Sequence, residues 1–327
     1  MKVFLINLNV GSGIEAVGDT IKKWIQELPV ELVEYKDQTK EGSTMSRLLE
    51  EHPDIIVINE IFSRIISPVL FYKLAFPNTK VILFSHSQKY FITPNEPDNQ
   101  HVLLMDLLRL TDIIYTLDAS QNKILQKENL KFCPSDPKIF HNEIPWKARP
   151  NLFCIIGGIY PLKVHLDFLN LAHYIPTQID IYGEVLEKFT TSKYRMAFAL
   201  AASQNLEKKE KIPQAEVGKV LNQYKYIIFP HHGSETFCMM LQQAIMCGTI
   251  PIVLNDDSGK DFNPSWIEWA SNMCYVTNNI KTLIENLTLI AKDEEDYTPI
   301  SQFISKEITK RFGYKTFKND FQTLLKQ

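Results

Sequence analysis

The segment Phe229-Pro230-His231-His232-Gly233-Ser234-Glu235-Thr236-Phe237-Cys238 gathers a carboxylate, two imidazoles, two hydroxyls and a thiol where an apolar run gives way to a helical one. Ser234 has the chemistry of a helix N-cap. The amides behind it then point toward the carboxyl ends of the strands, where open α/β sheets bind ligands. Glu235 is either a partner for the positive helix end or a carboxylate for a ligand. Gln243 follows two helical turns later on roughly the same face, Gly248 ends the helix, and Pro251 opens the next apolar run. A second segment, Gly11-Ser12-Gly13-Ile14-Glu15-Ala16, has the G-x-G-x-x-[GA] form of a dinucleotide loop, and Glu34 follows at about the spacing of a ribose-binding acid. Asn7, Asn9 and Val10 lengthen this loop, so two other readings stand beside it. It is a tight turn that needs glycine, or its amides face a phosphate or substrate at the positive end of a helix.

Other reactive side chains carry less. His231 and His232 have no carboxylate or cysteine at metal-ligand spacing. Cys238 lies near a helix N-terminus, which lowers a thiol pKa. There is no D-x-D, and Asn255-Asp256-Asp257 reads as a solvated turn.

Strands alternating with helices must position these groups. Apolar runs predict strands over Lys2–Leu8, Val30–Tyr35, Asp54–Asn59, Lys80–Ser85 and Asp112–Leu117, and helical periodicity predicts helices over Ile14–Leu28, Ser43–Glu51, Leu103–Leu110 and Ala119–Gln126. Cys133–Pro150 holds Pro134, Pro137, Pro145 and Pro150 and reads as a hinge. The alternation then resumes. Strands are expected over Leu152–Ile156, Gln178–Tyr182, Tyr226–Phe229, Ile250–Leu254 and Met273–Val276. Helices are expected over Lys163–Ala172, Glu216–Gln223, Thr236–Met246 and Ile280–Ala291, with charged helical stretches over Glu184–Lys211 and Ser301–Gln327. Near-continuous apolar strands separated by helices indicate parallel sheets covered on both faces. The fold class is therefore α/β, with two Rossmann-like domains, 1–145 and 146–327.

The 327 residues suit two domains at about 150 residues each. Hydrophobic residues make up 45% and charged residues 22%, which excludes a disordered, collagen-like or small disulfide-stapled chain. A net charge of −3 supplies no broad field for nucleic acid or anionic membrane. The five cysteines form no C-x-x-C pair and suggest a reducing, cytoplasmic location, with peripheral attachment to a membrane left open. Met1–Asn9 is too short and polar for a signal peptide, and no apolar run approaches the ~18 residues of a membrane span.

The Pro230–Pro251 stretch resembles the retaining glycosyltransferases of family 4, which have the GT-B architecture of two Rossmann-like domains facing each other across a cleft. Pro230, Glu235, Phe237, Ala244, Gly248 and Pro251 match the family pattern, while Cys238 stands at its glycine and Gln243 at its second glutamate. Gly157-Gly158-Ile159-Tyr160-Pro161-Leu162-Lys163 is similar to the phosphate-binding segment, with Gly158 at the arginine and Lys163 at the lysine. Gly11–Glu15 resembles the glycine loop, and His86 matches a histidine beside the donor sugar.

The resemblance implies sugar transfer from a nucleotide sugar, a UDP-sugar foremost, to an acceptor hydroxyl, with retention and without metal. The implied catalytic residues are His86, Glu235 and Lys163. Gly11, Gly13, Gly158, Lys163, Ser234, Glu235, Thr236, Phe237 and Gln243 would bind the nucleotide sugar. The N-terminal domain would hold the acceptor: a glycan, a lipid-linked glycan or a modified DNA base. The turn Cys247-Gly248-Thr249-Ile250-Pro251 resembles one in phage DNA glucosyltransferases, and Lys306, Lys310, Arg311, Lys315 and Lys318 form a basic cluster. The resemblance also implies that the last helix, Phe317–Leu325, packs back on the N-terminal domain. Two alternatives remain, an NAD-linked oxidoreductase and a sugar-nucleotide-binding module without transfer activity.

Overall fold

The computed structural model describes residues 1–8, 13–37, 43–60, 63–85, 99–116, 131–132, 135–230, 239–254 and 271–324. It divides into two compact units, Met1–Ser135 with Tyr314–Gln327, and Asp136–Gly313.

The first unit holds a six-stranded parallel sheet of β1 (Lys2–Leu8), β2 (Glu31–Asp37), β3 (Ile55–Asn59), β4 (Lys80–Ser85), β5 (Ile113–Thr116) and β6 (Lys131–Phe132), in the order β2-β1-β3-β4-β5-β6. The central strands are apolar on both faces because helices cover both; all of Ile55–Asn59 is buried. The helices are α1 (Gly13–Gln26), α2 (Ser43–Glu51), α3 (Ser63–Ala75) and α4 (Asn99–Leu110). Sequence periodicity does not reveal α3. It is apolar on all sides, with Phe71 and Leu74 exposed, and it carries Pro68 inside it. The helix expected over Ala119–Gln126 lies outside the described residues.

The second unit repeats the design with β7 (Asn151–Ile156), β8 (Ile179–Tyr182), β9 (Leu206–Lys209), β10 (Tyr224–Phe229), β11 (Ile250–Leu254) and β12 (Tyr275–Thr277), ordered β12-β11-β10-β7-β8-β9 and parallel throughout. Its helices are α5 (Leu166–Leu171), α6 (Ser192–Ala202), α7 (Val217–Leu221), α8 (Met239–Met246), α9 (Ile280–Ile290) and α10 (Thr298–Phe312). The expected helical stretch Glu184–Lys211 is a correction. Only α6 is an α-helix there, capped by Thr191 accepting from the Tyr194 amide at 3.2 Å, and Leu206–Lys209 is the edge strand β9. One apolar anchor beside Glu207, Lys208 and Lys209 suits an exposed edge and leaves no strand signature in the sequence.

The proline-rich hinge is corrected as well. Asp136–Pro150 is built into the second unit, where Phe140, Trp146 and Arg149 are buried and the Trp146 indole donates to the Lys225 carbonyl at 3.0 Å.

The last helix, α11 (Tyr314–Leu324), belongs to the first unit. The Phe317 ring lies 5.3 Å from Trp24, 6.2 Å from Phe84 and 6.1 Å from Tyr115, and the Tyr115 hydroxyl donates to Asp320 at 3.0 Å. The basic cluster is thereby split between α10 and α11. Phe317→Ala should cost about 3–5 kcal/mol in the first unit. Hydrogen exchange should then show lost protection in β1, β4 and β5, with β7 and β10 unchanged.

Candidate functional site

Each sheet has a point where strand order reverses, and open α/β folds bind ligands at the carboxyl ends of the strands flanking it. In the second sheet that point lies between β7 and β10. The two segments singled out by chemistry, Gly157–Lys163 and Pro230–Cys238, leave these two strands.

Past β7 the backbone needs glycine. Gly157 has φ +147° and Gly183, just past β8, has φ +152°. The Gly157 amide donates to the Tyr182 carbonyl at 2.9 Å, and a Cβ on Gly183 would stand 1.9 Å from the Gly157 oxygen. The two loops then run together. The Ile159 amide donates to Glu184 at 2.8 Å, the Leu186 amide donates back to Ile159 at 3.1 Å, and Ile159 bridges to Val185. Gly158, at the position of the family's arginine, is hemmed in: a Cβ there would lie 3.1 Å from the Tyr160 ring and 3.2 Å from Leu186. The Tyr160 ring packs at a tilt against Phe189, centroids 5.6 Å apart, and burial pushes its phenol pKa up.

Lys163 is half-buried and lies in a turn, not in the expected helix. The Val164 amide donates to the Tyr160 carbonyl at 2.9 Å, and α5 begins only at Leu166. His165 caps α5, its Nδ1 accepting from the Asp167 amide at 3.1 Å, while its own amide donates to the Pro230 carbonyl at 2.9 Å. That last bond ties the loop after β7 to the first residue after β10. Gln243 on α8 is buried, 5% exposed.

His86, Gly11, Ser234, Glu235, Thr236 and Phe237 lie outside the described residues, as do His231, His232, Cys238, Lys260 and Asn255–Asp257. Gly13 opens α1. Arg195 is spent locally, donating to the Thr190 carbonyl at 3.1 Å. Burial pushes the Cys247 and Cys274 thiols up to about 12 and raises Cys154 as well, so these buried thiols are held protonated near neutrality. Among the described residues no group of three or more His, Cys, Asp or Glu could hold a metal, and no helix is long and apolar enough to cross a membrane.

At the reversal point of the first sheet, between β1 and β3, the strands end in buried polar residues. The Asn59 amide donates to Asn7 at 2.8 Å, Asn7 donates to Glu34 at 3.5 Å, and Lys22 pairs with Glu34 at 2.5 Å. Glu34 sits opposite Leu5, within β2, and is engaged by Lys22 and Asn7. It therefore does not occupy the strand-end position of a ribose-binding acid, which removes the acid that supported the dinucleotide reading. Gly18 makes room for this cluster, since a Cβ there would lie 2.0 Å from the Asn7 oxygen.

Sequence reasoning missed Glu60. It follows β3, is 5% exposed and has φ +83°, a conformation costing a non-glycine residue about 1–3 kcal/mol. Its amide donates to the Phe84 carbonyl at 2.8 Å and extends the ladder by one residue. The available signal was a charged residue ending an unbroken buried strand.

No protein-family model matches the sequence, and no curated protein is similar to it in sequence. Solved structures do match. Anabaena HepE in complex with UDP aligns at TM-score 0.73 with 10% identity, over 99% of each chain. Sucrose-phosphate synthase from Thermosynechococcus elongatus aligns at 0.72 with 10% identity, over 100% of this chain and 98% of that one. An α-glucosyltransferase in complex with UDP and a 13-mer DNA aligns at 0.62 with 11% identity, over 99% of each.

The fold is GT-B. Within it, the Cys247-Gly248-Thr249 turn lies at the amino ends of the strands. There it is held by Arg149, which donates to the Cys247 carbonyl and, at 2.8 Å, to the Thr249 hydroxyl. The turn therefore lies at the opposite end of the sheet from the carboxyl ends where open α/β folds bind ligands.

Gly183→Ala should destabilise the second unit by about 3 kcal/mol or more, since the methyl group meets backbone. Gly157→Ala, with nothing within 4 Å of its Cβ, should cost only the backbone strain of about 1–3 kcal/mol. Thermal denaturation of the two variants checks the order.

Proposed function

We propose that this chain is a glycosyltransferase that moves a sugar from a UDP-sugar to an acceptor hydroxyl. The observation that carries the reading is the junction at the second sheet's reversal point. The His165–Pro230 bond there joins the loop bearing Lys163 to the start of the Pro230–Cys238 segment. Solved structures of the same fold contain UDP.

In this reading Lys163 neutralises the departing diphosphate. Glu235 accepts hydrogen bonds from the donor sugar's hydroxyls, and Gln243 offers its buried amide to the ribose. His86 stands beside the reacting centre, while Gly11, Gly13, Gly158, Ser234, Thr236 and Phe237 shape the nucleotide-sugar pocket. The chemistry is that of the retaining family 4 and needs no metal. The bond from the anomeric carbon to the diphosphate oxygen breaks as the acceptor oxygen bonds to that carbon from the same face. The acceptor's proton passes to the leaving phosphate. No dedicated nucleophile is then required.

A second reading, a sugar-nucleotide-binding module without transfer, is favoured by Gly158. With a glycine at that position the diphosphate has one cation fewer, and the crowding by Tyr160 and Leu186 leaves little room for a replacement. Turnover separates the two readings.

A thermal-shift panel of UDP-, GDP-, ADP-, CMP- and dTDP-sugars and NAD tests the proposal. A UDP-sugar should stabilise the chain by about 2.7 kcal/mol at a hundredfold excess over Kd. Glu235→Ala and Gln243→Ala should each weaken that response. A shift with NAD alone would replace the reading.

A further inference from the structure

Between Glu187 and Glu207 the chain holds no acidic residue and three basic ones, Lys188, Lys193 and Arg195. Helix α6 lies within this stretch, with Tyr194, Phe198 and Ala201 packed inward. At about 3.6 residues per turn, Met196 and Leu200 stand on the opposite side with Ala199 and Ser203, and Lys193 and Arg195 flank that strip on either side. Met196 is 72% exposed and Leu200 59%. Two further apolar side chains, Phe189 and Leu162, are each more than half exposed. Both lie beside the start of the helix. The Tyr194 hydroxyl donates to the Val164 carbonyl at 2.9 Å and Phe189 packs against Tyr160, so the turn that carries Leu162 is held against α6. Single exposed apolar residues are ordinary, but four gathered around one helix mark an interaction surface.

We propose that this surface rests on a bilayer containing anionic lipid. An apolar strip flanked by Lys and Arg is what an interfacial helix presents. Met196, Leu200, Phe189 and Leu162 enter the boundary between headgroups and acyl chains, and the cations reach the headgroup phosphates. The Lys188 ammonium lies 4.8 Å from the centre of the Phe189 ring, so one charge already sits over a side chain that enters. Arg195 donates to the Thr190 carbonyl and hydroxyl, neutral groups that leave its charge in place. Glu184 and Glu187 border the stretch, and Glu184 is paired with Lys211 at 3.8 Å. The exposed Phe71 and Leu74 of α3 stand in a different field. On the helices beside them Arg47 is paired with Glu50 and Glu51, and Arg109 with Asp106. Charge also separates lipid from a second copy of this chain, because two α6 faces would set cation against cation. The docking stands apart from the glycosyltransferase reading, since it needs no nucleotide sugar.

The test is co-sedimentation of the full chain, without nucleotide sugar, with vesicles of phosphatidylcholine alone and of phosphatidylcholine mixed with phosphatidylglycerol. The three cations should raise partition into the mixed vesicles about a hundredfold over phosphatidylcholine alone. Added salt should remove most of that gain. Met196→Asp combined with Leu200→Asp should lower partition into both kinds of vesicle by about tenfold or more. Lys188→Glu combined with Lys193→Glu should bring the mixed vesicles down to the phosphatidylcholine level. All four side chains are exposed, so both variants should melt with the unaltered chain. If the aspartate pair nevertheless unfolds the chain, the lysine pair decides. Leu74→Asp, on the exposed face of α3, should sediment as the unaltered chain does. Failure to sediment with the mixed vesicles, equal sedimentation with both kinds, or a loss caused by Leu74→Asp and not by the α6 variants would overturn the proposal. So would a lipid-free dimer that the aspartate pair dissociates, because α6 would then join two copies of the chain.

Discussion

A buried guanidinium with no carboxylate partner among the described residues ties the second unit together. Arg149 is 3% exposed and donates to the carbonyls of Ile144, Tyr224 and Cys247, to the Asn142 side chain and to the Thr249 hydroxyl. Burial lowers its pKa to about 10, partly offset by the two nearby cysteines, Cys247 and Cys154, and the residue stays charged at neutral pH. Among the described residues its partners are neutral oxygens, which offset its desolvation only in one orientation. The segment before β7, the start of β10 and the turn before β11 meet on this one side chain. Gly248, with φ +71°, completes the knot, since a Cβ there would lie 2.3 Å from Asn142 and 2.4 Å from Ser301.

The first unit has its own version. The Lys73 ammonium donates to the Thr79 carbonyl at 2.6 Å and to Pro77 at 3.0 Å and pairs with Asp112 at 3.5 Å, while Asp112 accepts from the Val81 amide at 2.8 Å. In both units the buried cation sits at the amino ends of the strands. The carboxyl ends carry the strained and polar features: Gly157 and Gly183 in one sheet, Asn7, Asn59 and Glu60 in the other. Rigidity at one end of a parallel sheet lets the loops at the other end vary without loss of the fold. A GT-B fold can therefore persist at 10% identity to Anabaena HepE.

Departures from the family pattern acquire a physical meaning in this frame. Gly158 stands where Tyr160 and Leu186 already fill the space around a Cβ. Gln243 is buried and uncharged where the family pattern has a glutamate, so any charge assistance from that position is given up.

The sequence alone determined the strands, because a strand buried on both faces must be apolar along its whole length. Lys2–Leu8, Lys80–Ser85 and Ile250–Leu254 are read directly from that rule. It also marked the loops after β7 and β10, since glycine, proline and a helix cap have local causes. Helix α3 escaped because a helix that is apolar all round has no periodic signal, and β9 escaped because an edge strand needs only one buried anchor. What tertiary structure decided was pairing. Strand order put the loops after β7 and β10 side by side, docked the proline segment into the second unit and drew α11 onto the first. The role of Arg149 and the strain on Glu60 were decided there too. Both depend on partners far away in the chain, and no local propensity encodes a contact between residues whose proximity is created only by folding.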